Sequence, residues 1–220
     1  LVDTVKPAAP TNLAVDETPT ANQQPTWAWT ASASVDVASY EVSLDGAAAV
    51  NIGKPTPLAY KPAPLANGTH ALKVRAIDLR GNASGWTAEV EVEVDTTVAK
   101  PNAPVATKNP TNEIPVWTWD AVTDLHGPVT YRVYLDGSLK ESGWATTTWA
   151  PAAIPVPDGP HYLEIEAVDD LDNVSAKSER GYVVIDTTPP AVPAMKALAP
   201  FTKDATLTFE WSASEDAVGY

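Results

Sequence analysis

The feature that most constrains this chain is a repeat with a step of 91 residues. Val2-Asp3-Thr4 returns as Val94-Asp95-Thr96-Thr97 and again as Ile185-Asp186-Thr187-Thr188. Tyr40, Val42, Leu44, Asp45 and Gly46 reappear as Tyr131, Val133, Leu135, Asp136 and Gly137. His70, Asp78 and Asn82 recur as His161, Asp169 and Asn173, while Trp27 and Trp29 become Trp117 and Trp119, then Phe209 and Trp211. The chain therefore reads as one module over 1–94, a second over 95–185 and the opening of a third over 186–220. Because Tyr220 aligns with Tyr40 and Tyr131 at the start of a central strand, the sequence is expected to be part of a longer array.

Within each module the apolar residues alternate. Tyr40, Val42 and Leu44 alternate with Glu41 and Ser43, and Asp45-Gly46 then supplies a turn. Leu72, Val74 and Ala76 alternate with Lys73, Arg75 and Ile77, and Val90, Val92 and Val94 with Glu89, Glu91 and Glu93. Short strands separated by turn signals in a unit of this size predict an all-β fold of antiparallel seven-stranded sandwiches in tandem. Outward charges support the pairing. Glu41 faces Lys73 and Arg75 in the first module, whereas Arg132 faces Glu164 and Glu166 in the second, so both signs are exchanged. That exchange predicts that the third and sixth strands are neighbours, placed by analogy in the smaller sheet of an immunoglobulin-like sandwich. Trp27, Trp29, Trp117, Trp119, Phe209 and Trp211 recur and are expected in the core, together with Trp149, which aligns with Leu58.

Composition removes several functions. A net charge of −14 argues against nucleic-acid binding through a basic patch. With no cysteine there is no disulfide, thiolate metal site or cysteine nucleophile. No apolar run is long enough to insert in a membrane, and 21 scattered prolines disfavour long helices. Three histidines are present, two at the same repeat position, and no hydrolase, zinc-protease, phosphate-loop or dinucleotide motif appears. The sequence reads as non-enzymatic.

Several segments together carry a family resemblance. They are Pro10-Thr11-Asn12-Leu13, Trp29, Tyr40-Glu41-Val42, Leu65-Ala66-Asn67-Gly68-Thr69-His70, Ala76-Ile77-Asp78 with Gly81-Asn82, and Val94-Asp95-Thr96-Thr97. In this order, and repeated, they resemble the tandem fibronectin type III and bacterial immunoglobulin-like repeats of large bacterial surface adhesins and secreted proteins. The resemblance implies an extracellular scaffold or adhesive role. It also exposes a departure. Such modules usually carry a tyrosine where His70 and His161 stand, so the corner hydrogen bond of the family is not supplied by the same residue, and Tyr162 is the candidate substitute in the second module.

Sandwich topology brings the linker entering a module toward its second-to-third and sixth-to-seventh strand loops. Asp95 would then meet Asp124, Asp169 and Asp172, with Asp170 alongside; Asp3 would meet Asp36 and Asp78; and Asp186 would meet Asp216 and Glu215. Converging carboxylates suit Ca²⁺, a hard cation taking six to eight oxygen ligands at about 2.3–2.6 Å, and the resemblance points the same way, since several long bacterial adhesins stiffen their junctions with calcium. The competing reading is that these aspartates cap nearby backbone amides.

Trp86 and Trp144 align with Lys177 and Gly53, where the other module has no apolar residue, so they are the candidate glycan or partner contacts, with a partly covered surface tryptophan as the plainer reading. The Asn67, Asn82 and Asn173 glycosylation-type triplets are by-products of repeated loops. Proline-bearing linkers are semi-rigid, so the modules are expected to form a rod. The leading expectation is a stalk of a surface adhesin or filament whose partners are neighbouring repeats, surface glycans or other copies in a surface layer. The alternative is a set of accessory modules in a secreted polysaccharide-degrading enzyme.

Overall fold

The structure, a computed structural model, describes residues 3–124, 126–152, 156–197, 206 and 208–214. No helix occurs among them. The first module runs β1 (Thr11–Val15), β2 (Trp27–Thr30), β3 (Val37–Leu44), β4 (Val50–Asn51), β5 (Ala59–Tyr60), β6 (Gly68–Asp78) and β7 (Val90–Val94). The second repeats it with β8 (Val105–Ala106), β9 (Trp117–Thr118), β10 (Thr130–Leu135), β11 (Ser138–Trp144), β12 (Thr148–Trp149), β13 (Gly159–Val168) and β14 (Gly181–Ile185). Each module has a three-stranded and a four-stranded sheet, ordered β1-β2-β5 with β4-β3-β6-β7, and β8-β9-β12 with β11-β10-β13-β14. All the strand pairs are antiparallel.

The charge-exchange argument holds at the level of register. Glu41 lies opposite Arg75 on β3 and β6, and Arg132 lies opposite Glu166 on β10 and β13. The Arg75 Nη2 to Glu41 Oε2 distance is 2.6 Å, and that of Arg132 Nη1 to Glu166 Oε2 is 3.7 Å. One detail is corrected. These two strands form the centre of the larger, four-stranded sheet, because β4 and β11 pair with β3 and β10 rather than joining the sheet of β1 and β2.

Alternation places one face of every long strand inward. Trp27, Tyr40, Val42, Leu72, Val74, Ala76, Val92 and Val94 are buried in the first core. Trp117, Tyr131, Val133, Leu163, Ile165, Ala167, Val183 and Ile185 fill the second, where Trp149 occupies the place of Leu58. Trp29 meets Tyr40 edge-on at 5.6 Å between ring centroids, and Trp119 meets Tyr131 the same way at 5.4 Å, a geometry favoured by the ring quadrupoles. Met195 and Trp211 form an antiparallel bridge in the third segment. There Phe209 and Trp211 are 51% and 48% exposed rather than buried.

The repeated tryptophans are not equivalent in their polar atoms. Trp27 Nε1 donates to the Val90 carbonyl at 3.1 Å, whereas Trp117 Nε1 finds no acceptor among the described residues. Both substitutions to phenylalanine lose apolar volume, but Trp27→Phe also strands a carbonyl while Trp117→Phe removes a desolvated, unpaired donor. Trp27→Phe is therefore expected to cost about 1–3 kcal/mol more, measurable as the difference in denaturant midpoint shift between the two module transitions.

Candidate functional site

The end of β6 sets up the first junction site and the end of β13 the second. After Asp78 and Asp169 the chain turns sharply, and each carboxylate is buried beneath its own turn. A buried carboxylate must be satisfied by donors. Asp78 Oδ1 accepts from the amides of Arg80 and Asn82, both at 2.8 Å, and its Oδ2 from Asn82 Nδ2 at 2.8 Å. Asp169 repeats the set with Leu171 at 3.0 Å, Asn173 at 2.8 Å and Asn173 Nδ2 at 2.8 Å. Burial would push the Asp78 carboxyl up, but the Asn82 side chain and the turn amides outweigh it and hold the group below its ordinary value.

These turns reach the incoming linkers. Asn173 Nδ2 spends its other hydrogen on the Asp95 carbonyl at 3.0 Å, and Asn82 Nδ2 does the same for the Asp3 carbonyl at 3.2 Å. A buried aspartate thus aims an asparagine, and the asparagine holds the linker. The other side of the linker is held by the preceding module. Asn67 Nδ2 donates to Asp95 Oδ1 and Thr97 Oγ1 at 3.1 and 2.9 Å, and its Oδ1 accepts from the Thr96 amide at 3.1 Å. At the next linker Asp158 stands in the Asn67 position and accepts from Thr187 and Thr188, whose hydroxyls keep its carboxyl below the ordinary range. Sequence reasoning set these asparagines aside. Their recurrence with Asp78 and Asp169 at a spacing of four was the signal that could have found them.

The carboxylates converge as the sequence anticipated at two junctions. Asp3, Asp36 and Asp78 each offer an oxygen, and these lie within 4.8 Å of one another; Asp95, Asp124 and Asp169 do the same. Asp172 stays outside the second triad, exposed, with a φ of 62° that lets its amide turn back toward the Asp169 carbonyl. Asp170 is also exposed and packs against Gly127, whose φ of +74° and lack of a Cβ are both required there. Asp186 accepts from the Thr188 amide at 3.0 Å, and Asp216 and Glu215 lie outside the described residues. Amide capping occupies one oxygen of Asp95 and one of Asp124, at 3.1 Å each from Thr97 and His126. Capping and convergence therefore coexist. The donor set is all oxygen with two of its three carboxylates buried, which fits a hard divalent cation such as Ca²⁺ and no soft metal. Beside this triad His126 Nε2 lies 3.3 Å from Glu93 Oε1 of the first module.

The two singled-out tryptophans are not bare platforms. Trp86 is half-buried, with the Arg75 guanidinium 4.5 Å and the Lys73 ammonium 5.8 Å from its ring centroid. Trp144 closes β11, packs on the second core and donates from Nε1 to the Thr148 carbonyl at 2.8 Å. They belong to different modules, and the geometry does not bring them together. The counterpart of Trp86 is Lys177, whose ammonium sits 3.6 Å from the Tyr134 ring centroid, so ring and cation have traded places between the modules.

No family model matches the chain. Exoglucanase B of Cellulomonas fimi is 28% identical over 233 aligned residues, which cover 99% of this chain and 21% of that protein. The chain thus spans about a fifth of the length of this curated relative. Similar solved structures include the fibronectin(III)-like modules of Clostridium thermocellum CbhA, with 19% identity, coverage of 79% of this chain and 94% of that one, and a TM-score of 0.38. The central fibronectin-III array of RIM-binding protein has 16% identity, coverage of 91% and 70%, and a TM-score of 0.34. Among the described residues no helix is long and apolar enough to cross a membrane.

Asn173→Ala removes the tie between the second module and the Asp95 carbonyl while leaving the core untouched. Because the same side chain also donates to the buried Asp169 Oδ2, the expected result is increased backbone mobility of residues 95–99 in NMR relaxation together with destabilisation of the second module by about 1–3 kcal/mol, the cost of an unfilled buried acceptor, while the unfolding midpoint of the first module is unchanged.

Proposed function

We propose that the chain is a run of non-catalytic extracellular spacer modules within a larger protein, and that Ca²⁺ at the Asp95, Asp124 and Asp169 junction fixes the angle between successive sandwiches. The observation that carries this reading is the double anchoring of the linker, by Asn67 of the module it leaves and by Asn173 of the module it enters. A passive tether needs neither anchor, whereas a spacer that sets orientation needs both. The cation adds to these anchors by neutralising three carboxylates held within 4.8 Å. Affinities of about 10⁻⁴–10⁻³ M are typical of extracellular calcium modules, so such a site fills outside the cell and empties in chelator.

The setting best supported is a set of accessory modules in a secreted polysaccharide-degrading enzyme. A relative named as an exoglucanase is similar along 99% of this chain, which corresponds to only 21% of that relative. A stalk in a long surface adhesin or filament is the second reading, favoured by the recurring step of about 91 residues, which would build an extended rod if further modules follow. The partners in both cases are the neighbouring modules of the same chain. Contact with a glycan through Trp86 or Trp144 would require Arg75 to leave one ring or the edge of the second core to open at the other, so a sugar platform is a lesser part of the proposal.

Small-angle scattering of the 220-residue chain in about 1 mM calcium and in excess chelator tests the junction. The expected outcome is a narrower distribution of particle dimensions with calcium, and loss of that difference in the Asp95→Asn/Asp169→Asn double variant. Identical profiles in calcium and chelator would remove the cation and leave the hydrogen-bonded anchors as the sole source of orientation. For the sugar platform, retardation in a β-glucan gel that is the same for the parent chain, Trp86→Ala and Trp144→Ala would exclude both tryptophans.

A further inference from the structure

His70 and His161 stand at the corner where such modules usually carry a tyrosine, and their surroundings specify a protonation state. His70 Nδ1 lies 2.8 Å from Asp45 Oδ2, and its Nε2 lies 2.9 Å from the Ala66 carbonyl oxygen. His161 repeats this with Asp136 Oδ2 at 2.7 Å and the Pro157 carbonyl at 2.8 Å. Carboxylates and backbone carbonyls only accept, so a ring that satisfies both must donate from both nitrogens, which only the imidazolium can do. A neutral ring would set a lone pair against an acceptor oxygen. Tyr162 does not take the corner role; it faces Tyr182 and lies beneath the Arg180 guanidinium on the outer face of the sheet.

The two acceptors are themselves connected to other parts of the module. Asp45 Oδ1 accepts from the Ala71 amide at 2.8 Å and Asp136 Oδ1 from the Tyr162 amide at 3.0 Å, which fixes each carboxylate on the strand beside its histidine. On the opposite side, Ala66 directly precedes Asn67, the residue that holds Asp95, Thr96 and Thr97. Pro157 directly precedes Asp158, which holds Thr187 and Thr188. Each ring therefore grips the loop whose next residue grips the outgoing linker.

We propose that His70 and His161 in their protonated form are latches on the loops preceding β6 and β13, and that through Asn67 and Asp158 they hold the linker leaving each module, so that the linkers are held in mildly acidic to neutral solution and freed as it becomes alkaline. This rests on the corner geometry and not on the calcium reading. The charged surroundings are simple. His70 pairs across the sheet with Val92 of β7, with Glu91 and Glu93 opposite its neighbours Ala71 and Thr69, so Asp45 is the carboxylate it touches. His161 pairs with Val183 of β14 between Tyr182 and Val184, and Asp136 is its carboxylate, with Lys140 and Glu141 lining the cavity beside that turn. Burial alone would lower both rings, but the hydrogen bonds to the carboxylate and carbonyl and the carboxylate's charge outweigh it, and both are raised above the ordinary value. A raised value means the stabilisation is complete below the unfolded value of about 6.5 and is lost as pH climbs through the raised one.

The test is NMR of the ¹⁵N-histidine-labelled chain titrated from about pH 5 to about pH 9, with chelator present so that the outcome is separate from any cation effect. The expected result is that both ring nitrogens of His70 and His161 are protonated at the acidic end and titrate above free histidine. The amides of Thr96 and Thr97 should move with the His70 midpoint, and those of Thr187 and Thr188 with the His161 midpoint. Asp45→Asn should lower the His70 midpoint and leave His161 unchanged. A neutral ring at the acidic end, or linker amides that stay fixed while the rings titrate, would overturn the proposal.

Discussion

Everything distinctive about the junctions depends on one buried carboxylate per module, Asp78 or Asp169. Removing such a group from water is costly unless its oxygens are filled, and the turn after β6 or β13 fills them with two amides and an asparagine amide. Once the asparagine is held from behind by the carboxylate, its remaining hydrogen has one direction left, toward the linker carbonyl. The linker's own aspartate and one from the neighbouring loop are then placed beside this carboxylate in a triad. Orientation of the module, position of the linker and a cluster of negative charge are therefore consequences of satisfying a single buried group.

The outer faces of the larger sheets follow a different rule, one of compensation. Glu41 with Arg75 becomes Arg132 with Glu166, and Trp86 near two cations becomes Lys177 above Tyr134. What is preserved between modules is the pairing of a charge with its opposite or with a ring, not the residue at either position. Partners on adjacent strands must change together, because like charges directly opposite one another are destabilising. The inward face has no such freedom. There the same tryptophan, tyrosine and valine positions are kept, since volume in a packed core cannot be traded across a sheet without leaving a void.

This contrast explains what could be read from the sequence. The repeat and the period-2 alternation carried the sandwich fold, the pairing of β3 with β6, the tryptophan core and the meeting of Asp3 with Asp36 and Asp78 and of Asp95 with Asp124 and Asp169. Each is a strong local pattern or a direct consequence of topology. The sheet assignment of β3 and β6 was misplaced because it followed an immunoglobulin-like analogy in which their sheet has three strands, whereas here β4 and β11 add a fourth by pairing with β3 and β10. For Asn82 and Asn173 the recurrence four residues after Asp78 and Asp169 was readable, but their contact with the linker was not, and neither was the role of His70, since each depends on where a side-chain nitrogen points after a turn. Trp144, a candidate contact residue whose plainer reading was a partly covered surface tryptophan, ends β11 packed against the second core.

A module that must transmit orientation needs both ends of its linker held, and the chain holds them by chemically distinct means. The incoming end relies on neutral amide donors and a carboxylate cluster suited to a divalent cation. The outgoing end relies on Asn67 or Asp158, on loops that a charged imidazole grips. Under the two proposals the ends would respond to different variables, cation concentration at the first and proton concentration at the second. Because Asp95 belongs to both, accepting from Asn67 with its side chain and from Asn173 with its carbonyl, the linker between the two sandwiches is where the two responses meet. Under those proposals, stiffness in an array built from such modules would be a property of the solution around each junction as much as of the sandwiches themselves, and its minimum unit would be a linker with the two modules that hold it.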